Sequence, residues 1–212
     1  MRNITKSTLF TVIFILAVAV HAQQSDTKLY ISISHEIEDY ESWKVGFDKH
    51  ISARQAAGIS DIFVKRDINN TNSITFFAEV SSLEKANAFI TSPDLKEAMA
   101  KAGVTSAPEI VFYKTATEIQ AINTSDLVTT ITHSVEDYSK WKDVYDSASE
   151  LRESAGITDH LLLRSLSDEN VVTVLGSLSS TVSFIEFMAN PELKEAMKNG
   201  GVTSRAAIKV LL

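Results

Sequence analysis

Two histidines stand at equivalent places in this chain, His35 in HEIEDYESWK and His133 in HSVEDYSKWK. Each is followed by a tyrosine and a tryptophan, Tyr40 and Trp43 or Tyr138 and Trp141. Further along, Arg66 and Asn72 recur as Arg164 and Asn170. An imidazole can take a proton, a guanidinium can steady an oxyanion, and aromatic rings can wall a small molecule. His35, Arg66, His133 and Arg164 are therefore candidate catalytic residues. Tyr40, Trp43, Asn72, Tyr138, Trp141 and Asn170 are candidate ligand contacts. Such a set suits an anionic or enolisable small organic or sugar-like molecule. The same residues also have a plainer reading: histidines capping backbone groups, aromatics packed on one helix face, asparagines serving turns, and arginines paired with Asp61 or Asp159. The sequence leaves both open.

The elements that must position these residues occur twice. Shifting residues 29–114 by 98 places onto residues 127–212 needs no gap and gives 31 identities in 86 positions, the signature of a tandem duplication. Residues 115–126, TATEIQAINTSD, are polar and read as a linker or short edge strand. Within the first module, LYISISH alternates apolar and polar like a half-buried strand. Asp39 then offers an N-cap, and Tyr40, Trp43, Phe47, Ile51 and Arg54 follow at helical spacing until Gly58, which predicts one long amphipathic helix. ISDIFVKRD and NSITFFAEV flank asparagines that suit a hairpin turn. Ser81 and Ser82 open a second helix, Ser92-Pro93 a short third one, and EIVFYK closes the module as a strand.

The order strand, helix, strand, strand, helix, short helix, strand is the ferredoxin-like βαββαβ plan, with strand order 4-1-3-2. Its sheet has one face covered by helices and one bare, and a bare face has to be buried. The fold class is therefore α+β, two tandem ferredoxin-like modules closing face to face into one antiparallel barrel. His35, Arg66 and Asn72 should then share one sheet edge beside the start of the first helix. Tyr30, Ser32 and Ser34, answered by Val128, Thr130 and Thr132, with Thr75 and Glu79, Thr173 and Ser177 pointing the same way, should face the barrel centre as a hydroxyl-rich, hydrated seam. A ligand would enter between helices and sheet.

Residues 1–22 place Arg2 and Lys6 before an apolar run from Leu9 to Val20 and small residues, as a signal peptide does. The run is too short for a membrane span of about 20 residues. The mature protein is expected to be exported, periplasmic or secreted, with no membrane segment after cleavage. Cysteine is absent, which removes disulfides and thiolate metal sites, and the scattered histidines offer no local chelate. Losing the leader moves the net charge from −7 to −9 and argues against nucleic acid as partner.

The runs D-Y-x-x-W-K, R-x-x-A-G-I, P-[DE]-L-K-E-A-M and G-V-T-S resemble the dimeric α+β barrel superfamily, and within it the antibiotic biosynthesis monooxygenase-like branch. The resemblance covers both modules. It implies a barrel usually made from two chains, here fused, so the protein is expected as a monomeric pseudo-dimer or a homodimer. It also implies a range of activities, including cofactor-free monooxygenases, cyclases and sugar mutarotases. The haem-degrading branch carries its axial histidine on the second helix, where residues 82–90 and 180–188 have none, so no cofactor is expected.

Three functions stay open: an exported small-molecule-binding or accessory protein, a cofactor-free enzyme using a His base and an Arg, and a structural module without a ligand. Differences between the copies, such as Ala86 against Phe184 and Ile62 against His160, predict unequal clefts, of which at most one is fully active.

Overall fold

The computed structural model describes residues 27–123 and 126–212, and the leader expected at residues 1–22 lies outside them. The first module runs β1 (Leu29–Glu36), α1 (Tyr40–Lys49), α2 (Ile51–Ala56), β2 (Ile59–Arg66), β3 (Ser73–Val80), α3 (Leu83–Ile90), α4 (Pro93–Lys101) and β4 (Glu109–Glu118). The second repeats it as β5 (Leu127–Ser134), α5 (Tyr138–Ser147), α6 (Ser149–Ser154), β6 (Ile157–Ser165), β7 (Val171–Leu178), α7 (Thr181–Ala189), α8 (Pro191–Asn199) and β8 (Ala207–Leu211).

Local chemistry sets the boundaries. The Asp39 and Asp137 carboxylates accept from the amides of Ser42 and Lys140 at 2.8 and 2.7 Å, capping α1 and α5. Proline takes the first helical turn of α4 and α8, where no amide is needed. Gly58 and Gly156 end α2 and α6 at φ +72°, a conformation that a side chain disfavours. The single long helix expected over residues 40–57 is broken in two. At His50 and its counterpart Ala148 the backbone leaves helical geometry, at ψ 7° and 17°.

One eight-stranded antiparallel sheet runs in the order β2-β3-β1-β4-β6-β7-β5-β8, so each module has the expected 4-1-3-2 order. The modules join twice. β4 pairs with β6 at Lys114 and Arg164, and Leu166 N donates to Phe112 O at 2.9 Å. At the other seam Arg66 and Leu212 exchange two backbone hydrogen bonds of 3.0 and 2.9 Å, and Ile68 N donates to Val210 O at 3.0 Å. The two seams use equivalent residues of the two copies, and together they close the sheet into a barrel with a pseudo-twofold axis along it. β4 runs on to Glu118, so residues 115–118 are strand and pair with β6.

The helices cover the outside. Ile31, Ile59, Phe76 and Val80 pack beneath those of the first module, and Ile157, Leu178, Phe184 and Phe187 beneath those of the second. Inside, Tyr30, Phe63, Phe77, Leu161, Leu175 and Leu211 form one apolar cluster drawn from both modules. The interior is therefore not hydroxyl-lined throughout. Polar residues gather at the end where β1 and β5 finish, and toward the other end His160 and Ser177 share a buried hydrogen bond of 3.1 Å.

Candidate functional site

Each module carries a cleft between helices and sheet. β1 points His35 outward beneath α1, where its ring lies 5.7 Å from that of Trp43; His133 and Trp141 repeat this at 5.6 Å. Trp43 stacks on Phe47 at 4.9 Å, and Trp141 on Tyr145 at 5.0 Å. Ile33, Phe76, Phe89, Leu95 and Met99 complete the first cleft; Ile131, Val174, Phe187, Leu193 and Met197 complete the second. The enclosed volumes are about 70 Å³ and 80 Å³. Room of that size takes a ring-sized group, against roughly 300 Å³ and more for a preformed pocket around a larger ligand.

The histidines are the polar element of these apolar walls. His35 and His133 are 7% and 6% exposed, and neither ring nitrogen of either has a hydrogen-bond partner among the described residues. Burial pushes both imidazoles down to about 4, opposed at His35 by the charge of Glu36. Both are neutral at physiological pH, each with one N–H donor and one free lone pair. They do not cap backbone groups.

The second polar element of each cleft is a buried arginine from the short helix. Arg54 donates to Asp61 through Nε at 2.9 Å and Nη2 at 2.6 Å, and to the Phe47 carbonyl at 2.7 Å. Arg152 reaches Asp159 through Nε at 2.8 Å and the Tyr145 carbonyl at 2.6 Å. Oδ1 of Asp159 and the Tyr145 hydroxyl are buried, and neither has a well-formed hydrogen bond in the protein. Burial first, then the negative charge of Asp159, push the Tyr145 phenol up and keep it protonated. Phe47 offers nothing equivalent, so the second cleft has the richer polar chemistry.

By sequence the chain matches no family model and no curated protein. By structure, an anthrone oxidase-like protein superposes with TM-score 0.62 at 11% identity, over 88% of this chain and 91% of that one. An uncharacterized ferredoxin fold protein related to antibiotic biosynthesis monooxygenases, from Listeria monocytogenes, gives 0.51 at 12% identity over 88% and 95%. A mutant chlorite dismutase from Candidatus Nitrospira defluvii gives 0.53 at 9% identity over 87% and 91%. The chain has the dimeric α+β barrel fold, both halves in one polypeptide. Identity this low shows the fold alone.

In this α+β barrel the residues expected from sequence fall into two groups. Arg66, Tyr40, Trp43 and His35 form a continuous row of ring contacts: the guanidinium lies 4.8 Å over Tyr40, the Tyr40 ring lies 6.0 Å from Trp43, and His35 meets Trp43 at a tilt of 56°. Arg164, Tyr138, Trp141 and His133 repeat it, with Arg164 4.4 Å over Tyr138. Arg66 and Arg164 thus stand two aromatic rings away from the histidines and line neither cleft. Each is tied to its hairpin loop, Arg66 Nε to the Thr71 carbonyl at 2.7 Å and Arg164 Nε to the Glu169 carbonyl at 2.6 Å. Their partners are not Asp61 and Asp159, which Arg54 and Arg152 hold. Asn72 and Asn170 serve turns, their carbonyls accepting from Ile37 and Val135 at 2.9 Å.

Sequence reasoning missed Arg54, Arg152, Asp159 and Tyr145 as cleft residues, and Asp61 as the partner that holds Arg54. A signal was present: Arg54 lies on the apolar row of its helix, and both members of the pair are identical between copies. A cation on a buried row needs a partner. Among the described residues no three acidic or histidine side chains converge as a metal site, and no helix is long and apolar enough to cross a membrane.

Proposed function

We propose that the protein binds a small, flat, mostly apolar organic molecule in the second cleft. His133 is the buried polar contact at one side, and Tyr145 with Asp159 is the other. The observation that supports this most is the unpartnered imidazole at the base of an apolar cleft, since a buried polar atom left unpaired costs about 1–3 kcal/mol and a ligand hydrogen bond removes that cost. Filling of the cleft by side chains would not remove it. The leader-like residues 1–22 support a site of action outside the cytoplasm.

A cofactor-free reaction is the second reading, favoured by the free lone pair on neutral His133 and by the monooxygenase-related proteins that share the fold. A base pushed down to about 4 accepts a proton from carbon poorly. Turnover therefore requires a ligand whose developing negative charge raises the imidazole again. Binding needs no such help, and so comes first.

The test is a thermal-shift screen of ring-sized compounds such as phenol, indole and 2-naphthol on the mature chain and on His133→Leu. A ligand at a hundred times its Kd contributes about 2.7 kcal/mol, which raises Tm by roughly 5–10 °C in a protein of this size. The shift should vanish in His133→Leu and persist in His35→Leu. Equal shifts in all three proteins would exclude the second cleft.

A further inference from the structure

The barrel mouth holds a cavity separate from both clefts, of about 280 Å³, at the end where β1 and β5 finish. Its wall is hydroxylated. Ser34 and Thr75 share a hydrogen bond of 3.0 Å, Thr132 and Thr173 one of 2.8 Å, and Ser165 and Ser167 one of 2.8 Å. Its floor is aromatic, with Phe63 and Phe77 stacked at 5.3 Å beside Tyr113. At the rim Lys209 Nζ donates to Ser34 Oγ at 2.9 Å and to Glu109 at 3.1 Å.

The repeat shows which of these features the fold itself requires. Lys209 is equivalent to Val111, and Glu109 to Ala207, on matching strands of the two copies. Each copy carries one charge of the pair and the other copy has an apolar residue at the same place, so neither position needs a charge for the strand to close the barrel, and the rim pair exists only because the copies have diverged. Its chemistry narrows the occupant. Lys209 is already neutralised by Glu109, which disfavours a bare anion. The wall hydroxyls are paired with one another but each keeps further hydrogen-bonding capacity, which an apolar molecule would leave unmatched. A stacked aromatic floor, many hydroxyls and one cation–carboxylate pair suit a molecule with an apolar ring face and a polar rim.

We propose that this cavity is a second ligand site, for a neutral polyhydroxylated molecule the size of one sugar ring. The volume fits, lying just below the roughly 300 Å³ at which ligand pockets begin. The site is independent of the clefts, which lie on the opposite face of the sheet.

Both tryptophans, Trp43 and Trp141, are in the clefts and neither lines the cavity. Titration of the mature chain with D-glucose, D-galactose and myo-inositol, followed by NMR, separates the sites. At least one of these should shift the resonances of Thr75, Thr173 and Tyr113 saturably at millimolar concentration, leaving tryptophan emission unchanged. Lys209→Val, which installs the residue of the other copy, should weaken binding at least tenfold, and Ser34→Ala at least threefold. No saturable shift with any of the three would mean that water alone fills the cavity, and the proposal fails. It also fails if tryptophan emission changes with the same midpoint, or if Lys209→Val binds as tightly as the wild type.

Discussion

The guanidinium of Arg152 lies 3.6 Å over the ring of Tyr145, as that of Arg54 lies 3.6 Å over Phe47. Each arginine is held between an aromatic face and an aspartate, so each cleft has a fixed buried cation. The copies differ in what is left over. Arg54 takes both oxygens of Asp61, whereas Arg152 engages only Oδ2 of Asp159, whose other oxygen lies beside the Tyr145 phenol without a well-formed hydrogen bond.

Arg152→Met should destabilise the protein by roughly 3–5 kcal/mol, because it leaves Asp159 buried and uncompensated. The side chains of this pair are only 10% and 14% exposed. Urea unfolding at neutral pH measures the loss. Removing both charges, as Arg152→Met with Asp159→Leu, should recover most of it.

Packing of the first and last helices uses one small residue per module, placed differently. A Cβ on Gly46 would come 2.9 Å from that of Ala102, while in the second copy Val144 faces Gly200, where an added Cβ would lie 3.6 Å from it. Gly46→Val should therefore cost about 1–3 kcal/mol through forced separation of α1 and α4. Adding Ala102→Gly, which reproduces the arrangement of the second copy, should restore at least half. A double-mutant cycle from unfolding curves gives the coupling.

Acid should weaken the fold through the two cleft histidines. Both are pushed down to about 4 by burial, from 6.5. Above pH 6.5 they are neutral folded or unfolded and contribute nothing. Between pH 6.5 and 4 the unfolded chain binds protons that the folded protein refuses, so stability falls as pH falls; below 4 the loss levels off. After allowance for solvent screening it is on the order of 2 kcal/mol per histidine. Unfolding midpoints at pH 7.5 and 4.5 should converge in His35→Leu/His133→Leu.

Barrel closure rests on the last few residues. Deleting Val210 to Leu212 removes three backbone hydrogen bonds to Arg66 and Ile68, at and just past the end of β2, and the fully buried Leu211. The shortened chain should lose several kcal/mol of stability and self-associate through its opened seam, as sedimentation would reveal.

The barrel was legible in the sequence because the duplication is gapless and LYISISH alternates as a half-buried strand does. Once the module order was known, the bare inner faces had only one place to go. The clefts were half legible. His35, Tyr40 and Trp43 stand close in sequence and touch in space, so their spacing carried the contact. Arg66 was misplaced because a residue on the correct strand and face still sits two rings away from the histidine, a distance that strand order does not encode. Arg54 was hidden because it lies past the break at His50, which turns a nominal helix row into a separate element. The extent of the apolar cluster inside the barrel was illegible for a similar reason: the pleat tells which residues face inward, and not how far along the axis bulky rings fill the space.

The most direct test of the account uses the two tryptophans as reporters, one per cleft. In Trp43→Phe only Trp141 emits, and in Trp141→Phe only Trp43. Titrating each with the strongest compound from the ring-sized screen should give a saturable change from Trp141, abolished by adding His133→Leu, and none from Trp43. A saturable response from Trp43 with none from Trp141, or a Trp141 response that survives His133→Leu, would contradict the assignment of the second cleft.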